Sequence, residues 1–318
     1  MTFKYFITRV VFMFTLLLMV ITAMYFTLSW AQWRVWNRGE TIGSFLSRTW
    51  PMYIDYMKNI FLSWDWGTNR DGEDAWKILL DHAPQTLWFN FMAFAIYVPL
   101  SIVFGVIAGA NRNTMIDRII SLPMHVFSSV PNFIWFFFFI LFFGYTVYWF
   151  PIIRPPEEAG FFESFKFWVL PITALSLLPL SKFTLLIRSE FAETIAADYN
   201  LLLRAKGLNR WQRLRKHQLK HCIAPVLPEI TPTFIFVFAS SFLLEHMGYL
   251  YGAAALLMDS LIRRMPAAHV MIDLNVAVLV IAFYVSVGLL VALAIDMLYY
   301  VSDPRIRIGS DKRQTETG

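Results

Sequence analysis

The stretch Asp198–Pro225, DYNLLLRAKGLNRWQRLRKHQLKHCIAP, decides how this chain is arranged. It is a polar, basic island between long apolar runs. Arg204, Lys206, Arg210, Arg213, Arg215, Lys216 and Lys220 lie in it against a single acid, Asp198. Basic segments between membrane spans stay on the cytoplasmic side, so the island is expected to face the cell interior. It is too long for a tight turn and carries helical pattern on both sides of Gly207. The spacing predicts that Arg188–Ala197 prolongs the preceding span and that Asp198 caps a short helix over Tyr199–Lys206. Gly207 is placed to end that helix in a left-handed C′ position. Asn209 then caps a second helix, Arg210–Cys222, and Pro225 and Pro228 break the chain before the next span. A short helix held at both ends by spans is a lever that moves both when pushed. The plainer reading of the same spacing is a solvated basic loop that only fixes topology.

Working outward, composition agrees with a membrane location. The 318 residues are 58% hydrophobic, 18% aromatic and only 15% charged, whereas soluble domains carry about a quarter charged residues. The net charge of +5 is explained by topology rather than by nucleic-acid binding. One cysteine, Cys222, excludes an internal disulfide and any multi-cysteine metal cluster. Lys4 and Arg9 precede an apolar run, but no small-residue cleavage site follows, so an uncleaved first helix is expected.

A spanning helix needs about 20 apolar residues. Six runs qualify, at 6–28, 86–110, 119–143, 167–187, 229–249 and 274–301. Pro123 and Pro131 are expected to bend the third, and Lys182 in the fourth is expected to snorkel to the interface. With both termini inside, the inner segments hold 17 of the 27 Lys and Arg and the outer segments 10. That asymmetry favours the N-in, C-in arrangement. The domain reading is a first span over 1–28, an extracytoplasmic Trp-rich segment over 29–82, a membrane core over 83–301 containing the cytoplasmic loop 188–228, and a cytoplasmic tail over 302–318. The Trp-rich segment reads either as an aromatic belt with a small packed cap or as a docking surface for an external partner.

Several chemistries are absent from the sequence. It has no G-x-x-x-x-G-K-[ST], no G-x-S-x-G and no H-E-x-x-H. His217 and His221 are four apart beside Cys222, a spacing that suits a metal, but no third ligand stands at a convincing distance. Glu245, His246, Asp273 and Asp296 fall near span ends, too sparse for a proton relay; Glu245 reads as a packing or gating residue.

The stretch Asp198-Tyr199 … Arg204-Ala205-Lys206-Gly207-Leu208 … His217 … Ala224-Pro225 resembles the EAA loop of binding-protein-dependent ABC importer permeases, in the spacing of the oligopeptide/dipeptide (peptide/nickel) subclass and its B-type permease. Pro84-x-Thr86-Leu87, Gly109 with Asn111-Arg112-Asn113 and Asp117-Arg118, Ser129-Val130-Pro131-Asn132-Phe133, and Asp296 … Asp303-Pro304-Arg305-Ile306-Arg307 resemble further motifs of that subclass. Two departures stand out: Leu201-Leu202-Leu203 replaces the Glu-Ala-Ala triplet, and Ser29–Trp33 replaces an acidic, Pro/Gly-rich motif. The resemblance implies an all-α type I (MetI-like) permease fold of about six transmembrane helices in the bacterial cytoplasmic membrane. It implies a non-catalytic half-channel that pairs with a second, homologous permease, with two ABC ATPase subunits beneath and an extracytoplasmic peptide-binding protein outside. It also implies no cofactor in this chain, with ATP and Mg held by the ATPase partners. The implied coupling residues are Asp198, Tyr199, Arg204, Ala205, Lys206, Gly207 and Leu208, with Glu245 and Pro131 as gating or packing positions. Dipeptides, glutathione or a nickel complex are alternative cargoes; an ion-coupled secondary transporter and a membrane scaffold are the rival classes.

Overall fold

The structure, a computed structural model, describes residues 3–36, 41–156, 160–248, 250–262 and 272–302. Among these, regular structure is helical: α1 (Phe3–Trp36), α2 (Ile42–Ser63), α3 (Ala75–Ala110), α4 (Met115–Ser129), α5 (Asn132–Phe139), α6 (Phe161–Ala196), α7 (Tyr199–Ala205), α8 (Arg210–Arg213), α9 (Leu219–Ile223), α10 (Leu227–Met247), α11 (Ala253–Ile262) and α12 (Leu274–Ser302). Five helices are long and apolar enough to cross a membrane, or six if the bent pair α4–α5 counts as one span. The motif at 303–307 and the tail lie outside the described residues, as does Tyr249 at the expected end of the fifth span.

The expected spans are all present, but most are longer. Apolarity marks only the part of a helix that hydrocarbon would cover, and polar turns extend α1, α3 and α6 beyond it. The third span is corrected more deeply. It is a helix pair whose axes differ by 103°. The break falls at Pro131, while Pro123 stays inside α4. Proline lacks an N–H and pushes the preceding residue out of the helical region; Val130 is accordingly extended, at φ −120° and ψ 130°. The Pro131 carbonyl accepts the Ile134 N–H at 3.1 Å and restarts the helix. Trp135–Phe139 is shared between surfaces, with Phe136 buried and Phe137 and Phe138 exposed.

The chain divides into two compact units. One comprises residues 1–88 and 245–290. In it α2, interrupted by Arg48, Asp55 and Lys58, buries Phe45, Thr49 and Ile60. It packs along α1 through Tyr25 on Tyr53 and Tyr56, Phe26 on Trp50, and a 2.6 Å hydrogen bond between Thr22 and Tyr53. Trp64, Trp66 and Trp76 form an edge-on cluster. Trp33 and Trp66 are buried, whereas Trp50 and Trp64 stay exposed.

The other unit comprises residues 89–244 and 291–318. Its core gathers Tyr97, Met124, Leu180, Phe183, Ile187 and Val226. α3 meets α6 through Gly105 and Gly109, a small-xxx-small pair that lets membrane helices approach closely. A Cβ on Gly105 would stand 2.6 Å from Cβ of Ile187, and one on Gly109 would stand 2.7 Å from the Arg188 carbonyl. Lys182 reaches across to a neighbouring helix. Its ammonium bonds Glu229 of α10 at 3.0 Å and Thr233 at 3.2 Å. The two charges that shorten the uncharged runs of α6 and α10 therefore offset each other.

Candidate functional site

The basic island folds as a closed turn. α6 continues past Arg188 to Ala196, as the sequence indicates. Ala197 is extended and changes the chain direction. Asp198 is not the side-chain cap expected of it. It has helical angles, φ −57° and ψ −32°, and makes no capping bond, because the direction change at Ala197 leaves Asp198 already inside the turn. The short helix ends one residue earlier than expected, with Lys206 as its C-cap. Gly207 adopts φ +75°, where side chains are disfavoured. Its N–H bonds the Arg204 carbonyl at 2.9 Å and the Leu208 N–H bonds Leu203 at 3.3 Å, the paired bonds of a Schellman ending. Asn209 caps the next helix reciprocally with Gln212, at 2.8 and 3.1 Å.

Beyond this cap the expected single helix Arg210–Cys222 is replaced by α8, a wide π turn over Leu214–Gln218, and α9. Nor do Pro225 and Pro228 break the chain. The helix tightens to a 3-10 turn at Ala224–Val226, and α10 follows at Leu227. Proline near a helical start forfeits no needed N–H.

Buried side chains fix α7 against its surroundings. Asn200 donates to the Ile195 carbonyl at 2.9 Å and accepts from Gln218 at 3.1 Å. Leu203 is buried, and the Tyr199 ring lies 5.3 Å from that of His221. Burial raises the Tyr199 hydroxyl above its ordinary pKa. Burial likewise pushes the Cys222 thiol up to about 11, marking it as a packing group. Facing out are Leu201 at 64% and Leu202 at 62% exposure, with Arg204, Ala205 and Lys206 beside them. Of the expected coupling residues, then, Arg204, Ala205, Lys206 and Gly207 share one exposed surface, Leu208 is half-buried in the turn, and Tyr199 points inward. A cleft of about 500 Å³ opens beside the turn, rimmed by Arg204, Arg210 and Arg213 and walled by Ile107, Phe191 and Leu214.

Two carboxylates hold distant helices. Asp117, 3% exposed, takes both prongs of the Arg188 guanidinium at 2.5 and 2.7 Å and also accepts the Asn113 N–H and the Ser121 hydroxyl. This bidentate pair ties the start of α4 to α6. Glu245, 1% exposed, accepts the Thr86 hydroxyl at 2.9 Å and the Ala254 N–H at 3.2 Å, while Thr86 accepts the Ala253 N–H at 2.8 Å. It joins α10, α11 and α3 at one point. Among the described residues no group of His, Cys, Asp and Glu is arranged to hold a metal ion.

Residues 101–308 match the model of the binding-protein-dependent transport system inner membrane component family. The chain belongs to this family. It is 26% identical over 261 residues to the dipeptide transport system permease protein DppB of Lactococcus lactis subsp. cremoris, covering 81% of each chain. It is 27% identical over 266 residues to the oligopeptide transport system permease protein AppB of Bacillus subtilis, covering 80% of this chain and 81% of that one. A crystal structure of an amino acid ABC transporter with histidines aligns with a TM-score of 0.50 at 14% identity, covering 70% of this chain and 94% of that one. That likeness is one of fold. The chain is thus an all-helical, multi-pass permease component of an ABC importer.

Within this permease, motif reasoning found the turn but not its supports. Asn200, Gln218 and the Asp117–Arg188 pair act across 18 and 71 residues of sequence. Asn200 carried a local signal, a neutral amide beside Tyr199 at the start of α7 in a segment otherwise rich in cations. Asp117 sat in a matched motif, but its partner is set only by how α4 meets α6.

Proposed function

We propose that this permease forms half of a translocation path for peptides, worked by ATPase subunits that grip α7. The observation that carries the reading is a short helix closed at its C-terminus by Gly207 and presenting Leu201, Leu202, Arg204 and Lys206 outward from a base held by Asn200 and Gln218. An apolar pair ringed by cations suits an acidic-rimmed groove on a partner. Asp198, Tyr199 and Ala205 support this surface, and Gly207 lets the turn lie close to it. α6 enters the turn and α9–α10 leave it, so a push on α7 moves two spans as rigid bodies. The excess of basic residues in segment 188–228 supports its cytoplasmic orientation in a bacterial plasma membrane. ATP and Mg belong to the ATPase partners, since the chain carries no P-loop. A second, different permease completes the path, and an extracytoplasmic peptide-binding protein supplies cargo. Glu245 and Pro131 serve as fixed joints between helices. The relatives named for dipeptides and oligopeptides support peptide cargo.

The test is a double variant, Leu201→Asp with Leu202→Asp, expressed with the partner subunits. Both side chains are exposed, so folding and membrane insertion are expected to be intact. ATPase co-purification and peptide uptake should both fall by about tenfold or more, the loss of a central apolar anchor. Gly207→Trp, which forces a side chain into φ > 0, should uncouple ATP hydrolysis from uptake. Normal uptake in both variants would refute the proposal.

A further inference from the structure

The arginine-rimmed cleft shares Arg204 with the proposed coupling surface, but its other cations, Arg210 and Arg213, have no part in coupling. Arg204, Arg210 and Arg213 line it together, and no carboxylate lines it with them. Arg213 donates one N–H to the Leu208 carbonyl at 2.7 Å, while its Nε is buried without a partner. Clustered guanidinium groups repel one another and present forked donors suited to phosphate oxygens. Ile107, Phe191 and Leu214 add an apolar wall, and Asn111, Asn200 and Gln218 a neutral polar one. Ile107 and Val103, one turn apart on α3, are exposed on the flank of a candidate span. An inorganic anion would engage only the cationic rim, whereas a lipid would engage the rim and the apolar wall together.

We propose that this cleft binds an anionic phospholipid of the cytoplasmic leaflet. Its phosphate sits among Arg204, Arg210 and Arg213, and one acyl chain runs along α3 past Ile107 and Val103. Basic pockets between helices at the cytoplasmic surface take such headgroups. The bound lipid bridges the α7–α8 turn and the end of α3, so the lever is braced against the membrane. The proposal rests on the inward orientation given above.

The experiment uses the full complex with its partner subunits, placed in nanodiscs of phosphatidylglycerol, or of phosphatidylcholine with added inorganic phosphate, and read by native mass spectrometry. Phosphatidylglycerol should remain bound after delipidation. Arg210→Gln with Arg213→Gln should lower its retention by about tenfold or more, the scale of two cations beside an anionic headgroup, with phosphatidylcholine retention unchanged. Should that variant fold poorly, Ile107→Trp, which blocks the chain path and keeps every charge, should also lower retention. Equal retention in the variants would overturn the proposal. Binding of inorganic phosphate with no lipid retained would overturn it in favour of a free-anion site. Loss of the ATPase subunits from the Gln variant, with no lipid on the native complex, would overturn it in favour of a protein interface. Normal uptake in the Leu201→Asp, Leu202→Asp variant, with lipid lost only from the Gln variant, would count against the coupling reading and leave this site supported.

Discussion

The turn from α7 to α8 closes almost entirely on its own neighbours. Gly207 and Leu208 return hydrogen bonds to Arg204 and Leu203, and Asn209 and Gln212 cap each other within three residues. The turn from α10 to α11 is built the other way. Its organising group, the Glu245 carboxylate, reaches Thr86, 159 residues away in sequence, and is shielded from solvent. The first turn is defined by short-range backbone chemistry and leaves its outer face free. The second exists only when separate helices meet. The difference teaches where compliance lies: the outward-facing turn proposed for ATPase docking is stiffened locally, while a joint between helices is stiffened by a buried polar bond.

Substitutions at the two kinds of joint should separate accordingly. Asp117→Ala extends the contrast to the other buried carboxylate and should have the largest effect. It strands Arg188 in a partly buried site, and removing one partner of such a pair costs about 3–5 kcal/mol. Unfolding of the detergent-solubilised chain by denaturant titration checks it, and a cost under about 1 kcal/mol would show that solvent replaces the pair. Glu245→Ala should come next, at about 2 kcal/mol, because the buried Ala254 N–H loses its acceptor and a joint between helices is removed. The same titration, with the faster proteolysis expected near α11, reports it. Asn209→Ala should cost least, about 1 kcal/mol, the loss of the α8 N-cap. A cost for Asn209→Ala equal to that for Glu245→Ala would erase the distinction between local and long-range joints.

Much of the candidate site was legible beforehand. The charge pattern marked the segment, Gly207 was placed in the left-handed position it adopts, and Asn209 was named as the cap it is. These signals act over a few residues, so a one-dimensional reading captures them. Asp198 was misread because a cap depends on where the preceding residue turns, and Ala197 carries no marker of that. The α4–α5 break was anticipated only as a bend. Proline identity reveals that a helix is disturbed, but the angle depends on what the following segment packs against, here Leu175 of α6 through Asn132 at 3.4 Å. The helix α2 escaped notice because its apolar side is an amphipathic stripe rather than a continuous run.

The amino-acid order alone determined the membrane class, the rough limits of the spans, and the basic turn with its left-handed glycine. It did so because hydrocarbon demands uninterrupted apolar length and because caps and turns are local. Only the tertiary structure decided that Lys182 meets Glu229, that Arg188 meets Asp117, that Glu245 closes on Thr86, and that three arginines gather around one cleft. Those pairings depend on helix positions and rotations in three dimensions, and the burial that makes them strong does not exist until the helices have packed.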